Sequence, residues 1–367
     1  MCLQMEIKSY NPVRIIFGID CVRNNMDVFK GMGRFPLIVT GRSGAKKSGA
    51  FDDVIDVLKK GPYVLYDRIE ENPKISTVED AAMMSKKFNC DYIIAIGGGS
   101  ALDAAKAIAV LAVSNMSGMD LLSSKIEKAL PIIAIPTTSG TGSEVTPYSI
   151  LTVDQWQTKK SFASDLVFPK YALQDPKYTY SLPDDYTVST AFDAASHLFE
   201  SYFSLRSTNI SMMYSLEGIK AFEKAVKAID ELNFDEESRY YLMYSSMMGG
   251  LAITHTGTTA MHALGYSMTY FHNMPHGFAN LYFCRPYFKH MLKHEIQKTL
   301  HIVAQMGFTD VGSMCNFFLR NMERPRLDKS MCEKYASLAM LQSSIKATPG
   351  ELTEADIVSM YKEAGSL

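Results

Sequence analysis

The sequence lacks paired thiolates. Its six cysteines, at positions 2, 21, 90, 284, 315 and 332, contain no CxxC spacing, so neither a Cys-based zinc site nor a disulfide framework is indicated. Unpaired thiols in a chain of this size suit a reducing compartment. Charge of one sign is also lacking. With 37 Lys and Arg against 39 Asp and Glu, the net charge is −2, which gives no electrostatic reason to expect nucleic acid or an anionic membrane as a partner. No stretch approaches the roughly 18–20 continuous apolar residues of a membrane span. The opening residues, MCLQMEIKSYNPVRIIFG, carry charges early and no apolar run of signal-peptide length. The cytoplasm is the expected compartment.

What is present is an ordinary globular composition. Hydrophobic residues make up 47% and charged residues 21%, enough for a sizeable core. A chain of 367 residues is too long for one small core and fits about two domains on the usual scale of roughly 100–200 residues each. The methionines are read as flexible core filler.

The chain changes character near residue 180. Before it, short β-rich runs alternate with helical patterns. PLIVTG (36–41), YVLYD (63–67), the apolar run YIIAIG that opens at 92, and PIIAIPTT (131–138) read as strands. Helices are expected from about Ala50, over 76–88 with Ser76 or Thr77 as cap, and over 101–113 with Ser100 as cap. Continuous apolar strands alternating with helices predict a parallel sheet covered by helices. After SLPDDYT (181–187) apolar residues recur at three-and-four spacing almost to the end, which predicts an all-helical half. The expected organisation is an α/β domain over 1–180 and an all-helical domain over 181–367.

Four stretches carry chemistry. Gly97-Gly98-Gly99-Ser100 lies between a buried strand and a helix. Glycines there let the backbone approach a ligand, and the free N–H groups of the helix start attract phosphate. Taken alone, a tight turn without a ligand reads equally well; Asp103 and Lys106 in the next turn favour phosphate slightly. Thr137 to Glu144, TTSGTGSE, follows another strand at its carboxyl end, where ligands bind in open α/β sheets. As a lone feature it would be a polar loop. Two such loops at two strand ends favour a shared ligand.

Asp193 and His197 are four apart on a helical stretch and face the same way. For this pair alone, a capped Asp near a core His is the better reading. His262 in TTAMHALGY and His276 in NMPHG change that, with Pro275 opening a new helical segment. One carboxylate and three imidazoles make a four-ligand site for Fe(II) or Zn(II).

GGGSALDAAK (97–106), IPTTSGTGSEVT (135–146), DAASHLFE (193–200) and HALGY…MPHG (262–277) together resemble the iron-containing, group III alcohol dehydrogenases. The similarity in order and spacing runs from NPVRIIFG (11–18) to MPHG. The resemblance implies an N-terminal Rossmann-like nucleotide-binding domain and an all-helical C-terminal domain, the plan shared with dehydroquinate synthases, with the active site in the cleft between. It implies metal ligands on Asp193, His197, His262 and His276. It implies cofactor contacts on Gly97, Gly98, Gly99, Ser100, Asp103, Thr137, Thr138 and Thr141, an adenosine-side contact on Asn72, and a nicotinamide-side lysine on Lys159 or Lys160. Several members carry a relay histidine four residues after the third ligand. Here that position is Tyr266, and His272 is the candidate substitute.

The expected reaction is hydride transfer between a nicotinamide and a small alcohol, aldehyde or ketone, with the metal as Lewis acid. An acidic residue at the end of an early strand favours NAD, and a cation accommodates the extra phosphate of NADP. Many members have Val-Thr-Asp there. This chain has Gly41, Arg42 and Ser43, then Lys46 and Lys47, so NADP(H) is expected over NAD(H). The alternatives are a glycerol dehydrogenase-like or 3-dehydroquinate synthase-like enzyme of the same fold, and a non-catalytic metal- or nucleotide-binding protein. A homodimer is implied by the resemblance.

Overall fold

Strands that are apolar along their whole length belong in the middle of a sheet covered on both faces. In the computed structural model, which describes residues 7–59, 61–320 and 322–365, they lie there. Cys2 and the first residues of the N-terminal stretch lie outside the described residues. Six strands, β1 (Arg14–Phe17), β2 (Pro36–Gly41), β3 (Val64–Ile69), β4 (Tyr92–Gly97), β5 (Ile132–Pro136) and β8 (Tyr171–Gln174), form one sheet in the order β1-β8-β5-β4-β2-β3. Every pairing in it is parallel.

The two faces of the sheet can be followed along β4. Ile93 and Ala95 pack into a core with Leu102 and Ile108 of the helix Gly99–Leu111. Their neighbours Ile94 and Ile96 pack into the opposite core with Val54 and Leu173. Alternate residues of a strand face opposite ways, so both sets must be apolar. Two further strands, β6 (Tyr148–Val153) and β7 (Thr158–Ala163), make a separate antiparallel hairpin. It is half polar and carries no run long enough to mark it in the sequence.

Two expected caps differ. The helix over 76–88 begins at Ile75 with Lys74 at its N-cap, and Thr77 instead donates to Glu70 at 2.7 Å. The helix after β4 begins at Gly99 with Gly98 at its N-cap. Ser100 is therefore inside the first turn, where its hydroxyl accepts the Asn72 N–H at 3.1 Å.

The chain divides into two units. One is Pro12–Thr190 with Glu231–Met243; the other is Ala191–Asp230 and Tyr244–Leu367, with the described residues before Pro12. The second unit is helical, and among the described residues no helix is long and apolar enough to cross a membrane.

Candidate functional site

Three helices of the second unit bring the expected ligands together. Asp193 and His197 lie on Asp184–Phe203, His262 on Ala260–His272, and His276 opens His276–Leu281 directly after Pro275 at the N-cap. The Asp193 Oδ1 atom is 3.6 Å from His262 Nε2, 3.8 Å from His276 Nε2 and 3.9 Å from His197 Nε2. Metal–ligand bonds of about 2.0–2.2 Å put tetrahedral ligand atoms about 3.3–3.6 Å apart, so the ring is close to that size. The ligand atoms of Asp193, His262 and His276 all lie within 4.8 Å of one another. His197 joins through Asp193, and its ring stacks on His262 with centroids 4.6 Å apart.

A carboxylate missed in the sequence completes the arrangement. Glu200 is fully buried. Its Oε2 receives the Nδ1 side of His262, while Oε1 accepts from the Thr259 N–H and hydroxyl, each at 2.9 Å, and from the His262 N–H at 3.2 Å. That contact fixes the His262 tautomer with Nε2 turned to Asp193, the usual carboxylate–histidine support of a metal ligand. Burial alone would raise the Asp193 carboxyl, but the imidazoles of His197, His276 and His262 outweigh it and hold the group well below the carboxylate range. Burial alone would lower His262, yet Glu200 and Asp193 push it up to about 9. The pocket thus favours positive charge at its centre. Two buried carboxylates with neutral imidazoles give −2, which fits a divalent cation of borderline softness.

Exchanging Glu200 for Gln is expected to weaken metal binding by about 10–100-fold, the usual effect of losing such a support. A competitive titration against a chromophoric chelator measures it; an affinity equal to that of the parent protein would refute the role.

The expected relay residues are placed differently from each other. Tyr266 lies one turn after His262 and stacks on the ring of His276, centroids 5.9 Å apart at 17°. His272 Nε2 is 3.0 Å from the hydroxyl of Tyr335. Asn273, in the left-handed region at φ 52°, ends the helix there, so the four-residue spacing from His272 to His276 does not put them on one helical face.

In the first unit the two glycine-bearing loops touch. Gly97 has φ 152°, a conformation side chains rarely adopt, and its carbonyl accepts the Thr137 N–H at 3.0 Å. A Cβ on Gly98 would stand 3.0 Å from Thr138 Cγ2, and one on Gly99 only 2.4 Å from Thr141 Cγ2. Gly99 is therefore demanded by the partner loop itself, and Gly98 is tightly fitted to it, before any ligand is considered. Thr137 is buried; Thr138, Thr141, Gly98, Gly99 and Ser100 are half-buried.

Lys106 does not face a phosphate. It is completely buried, and its Nζ donates to Ser143 Oγ and the Tyr148 carbonyl at 2.6 Å and to Thr146 Oγ1 at 3.3 Å. Burial pulls its pKa down to about 8 against the opposing charges of Asp103 and Glu144. Asp103 accepts Ser143 Oγ at 2.5 Å and the Ile150 N–H at 3.1 Å. Both residues fasten the TTSGTGSE loop and β6 to the helix behind them. Lys159 is buried and near enough to Asp103 to favour its charge, whereas Lys160 is only half-buried. Asn72, at φ 57°, gives its N–H to Ser100, and its carbonyl accepts from Thr152 Oγ1 at 2.9 Å. Gly41 ends β2, and Arg42 and Ser43 are exposed in the turn that follows. Lys46 is 3.5 Å from Asp67.

Family models cover nearly all of this chain. Residues 12–176 match the iron-containing alcohol dehydrogenase model, and residues 187–365 match the C-terminal model of the same family. A crystal structure of an iron-containing alcohol dehydrogenase from Thermotoga maritima superposes with a TM-score of 0.90 at 35% identity, covering 98% of this chain and 99% of that one. The chain belongs to the iron-containing alcohol dehydrogenase family. That is a family of metal-dependent alcohol oxidoreductases. Within it, Alcohol dehydrogenase 4 of Schizosaccharomyces pombe is 32% identical over 278 residues, which is 74% of this chain and 65% of the yeast protein. Sulfoacetaldehyde reductase from Bifidobacterium kashiwanohense, solved in complex with NAD+, is similar at a TM-score of 0.89 and 29% identity, over 99% of this chain and all of that one.

Proposed function

We propose that this iron-type alcohol dehydrogenase moves a hydride between NADP(H) and a small alcohol, aldehyde or ketone. The observation that carries the reading is the ring of buried Asp193, His197 and His262 with half-buried His276, backed by Glu200. When bound there, Fe(II) or Zn(II) would supply Lewis acidity toward the substrate oxygen, and the nicotinamide would supply or accept the hydride. The chain's own residues orient these groups. Glu200 holds His262 in the tautomer that presents Nε2, and Tyr266 braces the ring of His276. In the nucleotide half, Gly97 to Ser100 with Thr137, Thr138 and Thr141 offer backbone N–H groups and hydroxyls to the dinucleotide, and Asn72 holds Ser100 in place. Lys159 is buried and lies near Asp103, which makes it the better candidate of the two lysines. The domain reading is a nucleotide-binding half to residue 180 and a metal-binding half over 181–367. A cytoplasmic homodimer is the state proposed for it.

NADP(H) is preferred because the turn after β2 offers Gly41, a serine hydroxyl and the exposed Arg42 where an acidic residue would repel the additional phosphate. Asp67 beside Lys46 leaves Arg42 and the exposed Lys47 as the cations for it. The KM for NADPH is expected to lie below that for NADH, and Arg42→Ala should narrow the gap. A KM for NADH equal to or below that for NADPH would overturn the preference.

A further inference from the structure

Beside the ligand ring stands a neutral amide. Asn280 lies one turn after His276 on the helix His276–Leu281 and is completely buried. Its Nδ2 is 3.1 Å from Asp193 Oδ1, 3.2 Å from His262 Nε2, 3.4 Å from Ser196 Oγ and 3.5 Å from His276 Nε2. Three of these four atoms belong to the residues expected to hold the metal. An amide nitrogen has two hydrogens and no acceptor capacity, so it can hold at most two of the atoms around it. The shortest contact, to Asp193 Oδ1, is the one best suited to take a hydrogen.

The other end of the amide is equally constrained. Asn280 Oδ1 is buried with no hydrogen-bond partner, an arrangement that is unfavourable and needs a reason. It is also pressed against Gly265 of the helix Ala260–His272, where a Cβ would stand 2.3 Å from it. Giving up a partner for the oxygen leaves the nitrogen aimed at the ring.

We propose that Asn280 is a positioning residue for the metal ligands: its N–H groups set the orientation of the Asp193 carboxylate, and the absent side chain at Gly265 leaves room for that pose. The proposal rests on the metal reading of the ring. Asn280 touches Asp193 Oδ1 and acts through it, in the way that ligating carboxylates are themselves hydrogen-bonded. Gly265 contributes space. A methyl there would also approach the Ala279 carbonyl at 3.2 Å, but the clash at 2.3 Å is the one that must move Asn280.

The test is metal binding by the full chain, followed with Zn(II) against a chelator and with Co(II) by its visible absorption. Asn280→Ala is expected to lower Zn(II) affinity about 10–100-fold and to change the Co(II) spectrum, while the metal-free protein keeps its thermal midpoint within a few degrees. Gly265→Ala should produce a similar loss, and the double variant should be no worse than Asn280→Ala, because both changes act on one contact. Asn280→Leu, similar in size but without donors, should behave like Asn280→Ala. Parent-like affinity and spectrum in Asn280→Ala or Asn280→Leu, or fully additive losses in the double variant, would overturn the proposal. Absence of stoichiometric metal binding by the parent protein would instead sink the metal reading on which it rests.

Discussion

The His262→Ala variant is expected to lose its bound metal and, with it, about three orders of magnitude in kcat/KM for aldehyde reduction. His262 sits at the junction of the site. Its Nε2 faces Asp193 at 3.6 Å, its Nδ1 side meets Glu200, and its ring lies between those of His197 and His276. Removing it takes away one ligand and leaves Glu200, completely buried, without the imidazole that meets its Oε2. Lewis-acid stabilisation by a bound ion is worth several kcal/mol, and about 4 kcal/mol corresponds to roughly a thousandfold in rate. Metal content by mass spectrometry, measured on the preparation used for an NADPH-oxidation screen over short aldehydes and ketones, checks both parts. Loss of the metal with parent-like aldehyde reduction would refute the proposed role of the ring.

Lys106→Met is expected to have the second largest effect, and on stability first. The ammonium is completely buried and donates to three oxygens, while Asp103 and Glu144 lie buried around it. Removing one partner from a buried charged network costs about 3–5 kcal/mol. For a unit of this size that corresponds to a fall in Tm on the order of 10 °C. The TTSGTGSE loop would also lose its anchor at Ser143 and Thr146, so the KM for NADPH should rise. Thermal unfolding with and without saturating NADPH measures the two effects separately. A Tm within about 2 °C of the parent would rule out the clamp.

Much of this was legible in the sequence because it was written in long-range period. β2 spans the expected 36–41, and β4 and β5 are apolar throughout because both their faces are covered. Asp193 and His197 share a helical face by spacing alone. The same spacing reached further than it was followed: Glu200 is seven residues after Asp193, and Asn280 four after His276, each on the ligand face of its helix. A lone Glu or Asn in the sequence has no meaning until its partner on another helix is known. Lys106 misled for a related reason. A lysine after a glycine loop suggests phosphate, but its burial depends on β6 and the loop before it, which local pattern did not reveal. Ser100 and Thr77 resemble caps by type, yet their hydroxyls meet Asn72 and Glu70, contacts made across the fold or along the preceding turn.

The contact of Gly98 and Gly99 with Thr138 and Thr141 also bears on how this protein can diversify. Enlargement is coupled across the two loops: a side chain at 99, and to a lesser degree at 98, is best accommodated by a smaller residue at 141 or 138 in the same step. Directed evolution that samples single positions there would recover fewer active variants than paired libraries. The exposed turn at Arg42 and Ser43 carries no such coupling, so a change of nucleotide preference is most accessible at that edge, one residue at a time.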